Sequence, residues 1–185
     1  MIYLDVETNM PANYKIDPQH SSANFVVRHM MITNVRGGFS KVQGTVVWDP
    51  SALNQSSVEA TVDAASIDTR EPDRDKHLRS ADFFDVEKFP ALTFLSTGFE
   101  RDGDGELKIA GILTIHGVSK AVVLAVDGPT AEGKDPWGNV RIGASATTKI
   151  KRSDFDLTWN STLETGGILV GDDIKIEIEV SLIKA

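Results

Sequence analysis

The C-terminal run DIKIEIEVSLI, residues 173–183, constrains the fold more than any other stretch. Ile174, Ile176, Ile178, Val180 and Leu182 alternate with Lys175, Glu177 and Glu179. Successive side chains of a strand point to opposite faces, so a period of two means one apolar and one charged face. The same period recurs upstream. SSANFVVRHMM places Ala23, Phe25, Val27, His29 and Met31 on one face, and FSKVQGTVVW groups Val42, Gly44, Val46 and Trp48. SVEATVDA aligns Val58, Ala60 and Val62, LTFLSTGFE continues the pattern, and ELKIAGILTI aligns Leu107, Ile109, Gly111, Leu113 and Ile115.

About eight such strands follow one another, separated by turn signals such as Asp49-Pro50, Asp102–Gly105 and Asp135-Pro136-Trp137-Gly138. No long helical pattern interrupts them, so the class is all-β, a sandwich or a barrel. Two features favour an antiparallel barrel. Gly44 and Gly111 sit mid-strand on the apolar face, where curvature or a ligand leaves little room. Strands of about nine to twelve residues also enclose a volume rather than cap a thin core. KAVVLAV is apolar on both faces, which predicts that Ala121, Val123 and Ala125 are covered from outside by a helix or by the second subunit of a homodimer. Phe155–Asp173, rich in Gly and Thr, has the length of a lid or binding loop.

Charge and composition narrow the function. A net charge of −8 argues against nucleic-acid binding, which needs a basic surface to displace counterions. With no cysteine, disulfides, thiolate metal sites and cysteine nucleophiles are excluded. No run approaches the ~20 apolar residues of a transmembrane helix. The start, MIYLDVETNMPANY, lacks the basic and apolar regions of a signal peptide. The expectation is a cytoplasmic protein, or a periplasmic or secreted one if a leader has been removed.

The four histidines, His20, His29, His77 and His116, form no HExxH or HxH spacing. Asp73 and His77 are four apart, but the better reading is an acid in the first turn of a short helix. There is no GxSxG elbow, so no catalytic residue, metal or cofactor is expected. By alternation His29 lies along the apolar face, either satisfied by a backbone carbonyl at the barrel mouth or donating to a polar ligand head. Lys149, Lys151 and Arg152 form a basic cluster that reads as a solvated face or, at a barrel mouth, as an anion site. The stretch DRDKHLRSADFFDVEKFP reads as a short helix, with Asp75 and Arg79 spaced as an i,i+4 pair and Phe83, Phe84 and Phe89 plugging it onto the strands.

Three stretches together resemble the YceI-like family. The first is Ile16-Asp17-Pro18-Gln19-His20-Ser21 with Phe25-Val26-Val27-Arg28-His29. The second is Ser66-Ile67-Asp68-Thr69 with 74–85 and Phe89-Pro90. The third is 111–118, GILTIHGV, with Lys151-Arg152-Ser153-Asp154-Phe155. The resemblance runs from about Tyr14 to the C-terminus and leaves 1–13 as a leader without an assigned role. One departure is Asp156, where the family has glycine.

The resemblance implies a lipocalin-like antiparallel barrel with short helical segments over it and an internal channel. That channel would hold a polyisoprenoid, such as a polyprenyl phosphate or an isoprenoid quinone, or a related long-chain lipid, with no established catalysis. On this reading Phe25, Val27, Met31, Phe94, Leu107, Ile109 and Trp159 form the apolar wall, with Phe83 and Phe84 touching the ligand. His20, His29 and Arg152 mark the head-group end. Two alternatives stand beside it. One is an enzyme acting on an isoprenoid in the same cavity with His29 as general base; the other is a carbohydrate- or protein-binding sandwich without a cavity.

Overall fold

In the computed structural model, which describes residues 10–185, the isoleucine-rich C-terminal run becomes the longest strand. In chain order the strands are β1 (Ala12–Ile16), β2 (Ser22–His29), β3 (Thr33–Phe39), β4 (Val42–Trp48), β5 (Ser57–Asp63) and β6 (Ile67–Asp68). Helix α1 (Pro72–Arg79) follows, then β7 (Ala91–Arg101), β8 (Leu107–Ile115), β9 (Val118–Asp127), β10 (Gly133–Lys134), β11 (Val140–Lys151) and β12 (Val170–Lys184). The leader read as 1–13 lies mostly outside the described residues, and β1 already begins at Ala12.

β12 is shared among three partners. Its last residues pair with β1, its Ile174–Glu179 stretch pairs with β2, and β11 runs beside it from Arg141–Ile183 to Lys151–Asp173. That last pairing closes the sheet into an antiparallel barrel of eight strands, in the order β11-β9-β8-β7-β5-β4-β1-β12. β2, β3 and β6 continue the sheet beyond β12 as a flap at one end.

Closure works because the alternation of each strand is in register with its neighbours. Ile142, Ala144 and Ala146 of β11 stand opposite Leu182, Val180 and Ile178. Two glycines let the wall bend inward. At Gly44 φ is +156°, a glycine-only backbone, and a Cβ there would collide with the carbonyl of Glu59. At Gly111 a side chain would displace the ring of Phe94, which lies across it.

One end of the barrel is plugged by the chain around α1. Pro72 opens the helix, and the Glu71 carboxylate caps it by accepting from the Arg74 amide at 2.9 Å. The expected Asp75–Arg79 pair does not form. Buried Asp75 instead accepts from the Thr69 amide and hydroxyl at 2.8 and 2.5 Å, while Arg79 donates to the carbonyls of Ala65 and Ile67 at 2.9 and 2.7 Å. Both ends of the ion-pair spacing are spent on pinning the helix to the 64–69 segment, because buried carbonyls and amides there need partners. Below it Phe39, Ala64, Ile67, Leu92, Ile115 and Phe155 form a continuous core, with Phe84 edge-on to Phe39 at 5.6 Å.

α1 does not cover the two-faced strand β9. Ala121, Val123 and Ala125 remain exposed, so the helix half of that expectation is corrected. The glycine-to-Asp156 departure is explained directly: Asp156 ends the 3₁₀ turn Arg152–Phe155 with φ 58° and ψ 20°, the left-handed conformation that glycine adopts without strain. The turn survives because aspartate tolerates this region better than most residues. Relief of roughly 1–2 kcal/mol of strain, less glycine's entropic penalty of about 0.5–1 kcal/mol, should make Asp156→Gly more stable by up to roughly 1.5 kcal/mol in urea denaturation.

Candidate functional site

The inward face of the barrel encloses a cavity of about 280 Å³, just below the ~300–1,000 Å³ common for ligand sites. Its wall is built strand by strand from the alternating apolar positions. β12 contributes Ile174, Ile176, Ile178, Val180 and Leu182, and β9 contributes Val122, Leu124 and Val126. β4 and β5 add Val42, Val46, Trp48, Val58, Ala60 and Val62. Only Asn24, Thr93, Ser145, Thr148 and Arg152 are polar among the lining residues. Nothing in such a wall rewards a hydrated or multiply charged solute, whereas an extended hydrocarbon exchanges its water for it.

The cavity runs between two unlike ends. Leu78, Phe83, Phe84 and Leu157 line it beneath α1, while Trp48, Phe99 and Pro129 line it at the other end, with Trp48 and Phe99 6.4 Å apart. Beyond that second end lies a polar trio. Glu132 accepts from the Tyr14 hydroxyl at 2.7 Å and from Lys184 at 2.6 Å. Burial and the neighbouring Glu132 carboxylate push the Tyr14 phenol up to about 12, so it remains a donor.

Of the residues expected at the site, Phe25, Val27, Phe83, Phe84, Phe94, Leu107, Ile109 and Arg152 line the cavity. His20, His29, Met31 and Trp159 do not, and each has a physical reason. His20 sits at the β1–β2 corner, largely exposed, with its Nδ1 2.7 Å from Asp17 on the outside of the barrel. His29 is the last residue of β2, paired with Thr33 and Val170 where the strand leaves the barrel, so the proposed general base faces no cavity. Met31 falls beyond the strand in the β2–β3 turn and is 60% exposed. Trp159 packs on the outer side of the plug, edge-on to His77 at 4.7 Å and 5.3 Å from Phe83. His77 pairs with Asp82 at 2.8 Å rather than with Asp73.

The basic cluster is also redistributed. Lys149 and Lys151 both bind Asp173, at 3.2 and 3.0 Å, on the outside. Arg152 alone turns inward, only 6% exposed. Its guanidinium donates to four carbonyls: Leu157 at 2.6 Å, Gly171 at 2.8 Å, Trp159 at 2.9 Å and Val170 at 3.2 Å. Burial pulls its pKa below the usual arginine value. This makes Arg152 the clamp of the 157–170 segment, which turns back as a fixed flap rather than a free loop. Asn160 reinforces it through the carbonyl of Val170 and the amides of Leu169 and Val170.

Sequence reasoning missed the polar trio, since Tyr14, Glu132 and Lys184 are distant in the chain. It also passed over the β12 isoleucines as wall residues, although their alternation was the available signal. A second network lies outside the cavity at the β1–β2 corner. Arg141 donates to Asp17 and Asp135, both at 2.7 Å, and to Ser181 at 3.1 Å. The Arg141 and His20 hydrogen bonds hold the Asp17 carboxyl down at about 2, against an ordinary 3.8.

A closed antiparallel barrel around an apolar channel, plugged by a short helix at one end, defines a lipocalin-like barrel. The chain belongs to the YceI-like family: the YceI-like domain model matches residues 14–182. A UPF0312 protein of Vibrio cholerae is 40% identical over 148 residues, covering 79% of this chain and 78% of that protein. Protein YceI of Salmonella newport is 43% identical over 149 residues, covering 80% and 77%. Among solved structures, the YCEI protein of Campylobacter jejuni superposes with a TM-score of 0.70 at 35% identity, covering 85% of this chain and 90% of that one. A polyisoprenoid binding domain from Saccharophagus degradans shares the fold at a TM-score of 0.66 and 16% identity, covering 95% and 100%.

Two outcomes follow from this geometry. Arg152→Met leaves buried carbonyls without donors and should cost at least about 3 kcal/mol, with limited proteolysis then cutting within 157–170. Asp17, whose folded pKa is depressed, contributes stability that is complete above 3.8 and is lost as the pH falls through about 2. Asp17→Asn should therefore be less stable than the parent at neutral pH, and the gap should close in denaturation series toward pH ~2.

Proposed function

We propose that this protein binds and carries, or sequesters, a long apolar lipid inside the barrel, and that a polyisoprenoid is the ligand. The observation that carries the reading is the cavity wall itself, apolar from Leu78 and Phe84 at the plugged end to Trp48 and Phe99 at the other. Family membership and the shared fold of a named polyisoprenoid binding domain support it. Branched isoprene units suit a wall of Val, Ile and Phe side chains. At ~0.8 kcal/mol per buried CH₂, one five-carbon unit contributes up to roughly 4 kcal/mol before ordering costs, so a few buried units suffice.

Among the described residues the wall carries the hydroxyls of Thr93, Ser145 and Thr148 but no carboxylate or histidine beside them, and Arg152 is occupied by backbone carbonyls. The chemistry available is therefore binding. The head group is held where the chain leaves the apolar wall. Lys184 and Tyr14, joined through Glu132, are the polar groups gathered at one such place.

Native mass spectrometry with organic extraction tests this. The purified protein should carry extractable lipid or take up added geranylgeraniol at one molecule per chain. Ala146→Phe places a ring in the channel opposite Val126 and Ile178, and should lower uptake at least about tenfold, or ~1.4 kcal/mol, with the fold retained by circular dichroism. No lipid and no uptake by the parent would contradict the proposal.

A further inference from the structure

The turn between β2 and β3 is made of residues that do not suit its backbone. Met30 and Met31 have φ of 50° and 61°, and the Ile32 amide donates to the His29 carbonyl at 3.1 Å. Positive φ at both central positions is the type I′ pattern, which favours Asn and Gly. The turn between β8 and β9 shows the ordinary solution, with Gly117 at the second of its two positive-φ positions. Methionine gains nothing locally from a left-handed backbone and is strained there.

What these residues do present is apolar surface. Met30 is 41% exposed, Met31 60% and Ile32 67%, and Ile168 beside them is 44% exposed. Those are four of the nine exposed large hydrophobic side chains among the described residues. The Met31 thioether packs over Gly167, where a side chain would collide, and the Met30 amide donates to the Leu169 carbonyl at 2.8 Å. The tip is thus one unit made of the β2–β3 turn and the Arg152-clamped flap.

Its charge and position identify the partner. From Pro18 to Trp48 the sequence holds no Asp or Glu but includes Arg28, Arg36 and Lys41, in a chain of net charge −8. Arg28 and Arg36 are exposed on the outer face of this hairpin. Of the acids on neighbouring segments, Glu164 is the one in the flap, Asp172 and Asp173 are engaged by Ser153 and by Lys149 and Lys151, and Glu177, near Arg36, is engaged by Lys175 at 2.8 Å. The tip also continues the cavity wall: Val27 lines the cavity two residues before His29, and Val170, which pairs with His29, lines it too. A four-residue prominence is too small for the ~800 Å² per partner that a stable dimer buries. Exposed apolar side chains with Arg28 and Arg36 on the hairpin behind them match the interface of an anionic bilayer instead.

The geometry points to the Met30-Met31-Ile32 tip, with Ile168, as a bilayer-docking surface that brings the barrel to the membrane from which it draws its lipid. This rests on the lipid-binding reading. Insertion of so few side chains gives weak, reversible attachment, as a carrier that must leave again requires.

The test compares the parent with the double variant Met30→Asn, Met31→Gly, whose residues suit the turn. Flotation is measured with phosphatidylcholine vesicles, with and without phosphatidylglycerol, alongside transfer of dansyl-labelled geranylgeraniol out of them. The parent should float, more so with phosphatidylglycerol. The variant should lose flotation and transfer rate by at least about tenfold, with a melting temperature no lower than the parent's and equal uptake of the same probe without vesicles. Unchanged flotation and transfer in the variant, or no flotation of the parent, would overturn the proposal. So would a parent dimer in sedimentation velocity that the variant abolishes, since the tip would then bind a second copy. Failure of the parent to take up the probe without vesicles would instead sink the lipid-binding reading, with flotation still deciding the docking.

Discussion

The alternation of β12 against β11 is the constraint from which the rest follows. A sheet edge left open exposes unpaired amides and carbonyls, and closing the ring removes the edge. Closure forces the apolar positions of every strand onto one inner surface, because residues paired across neighbouring strands share a face. Once Ile174, Ile176 and Ile178 point inward, so do Ala146, Val126 and Leu107 beside them. The cavity is then what an eight-stranded ring leaves when its inner side chains are too few to fill it.

The two ends solve different problems. Beneath α1 the barrel is stopped by aromatic side chains, and the polar groups of that segment are spent on holding the plug: Asp75 on Thr69, Arg79 on the carbonyls of Ala65 and Ile67. Arg152 applies the same principle to the neighbouring flap, with one buried cation gathering four carbonyls from the 157–171 backbone. A guanidinium suits this place because its fixed fork supplies several donors at once, and lysine would not span the same set. At the other end Tyr14, Glu132 and Lys184 close a polar ring just outside the apolar wall. Apart from Arg152, which also lines the cavity, these polar holding points lie off the apolar wall.

Much of this was legible in the chain. Period-two patterning identified the barrel, and the mid-strand positions of Gly44 and Gly111 anticipated an inner face with little room. Eight of the twelve residues expected at the site line the cavity, all from strands, the plug or the buried arginine. The other four lie off the cavity wall for two reasons. Alternation gives the direction of a side chain only while the strand lasts, and His29 and Met31 lie where β2 ends, so extending the pattern into the turn carried them inward on paper. His20 and Trp159 lie in a corner and a flap whose placement is set by Asp17, Arg152 and Asn160. Those long-range partners leave no local signal, and the Asp75–Arg79 spacing misled in the same way. Asp156, by contrast, stands where the resemblance implies glycine, and its left-handed backbone is one that glycine favours.

On the proposed function, a hydrocarbon chain threads the length of the barrel. Methyl NMR on protein loaded with geranylgeraniol, with isoleucine, leucine and valine methyls labelled, tests it most directly. Ligand cross-peaks are expected to Ile174, Ile176 and Ile178 and to residues at both ends, Val46 and Leu182 at one and Val27 and Val170 at the other. Cross-peaks confined to exposed methyls such as Leu95 and Val123, with none on the β12 isoleucines, would contradict it.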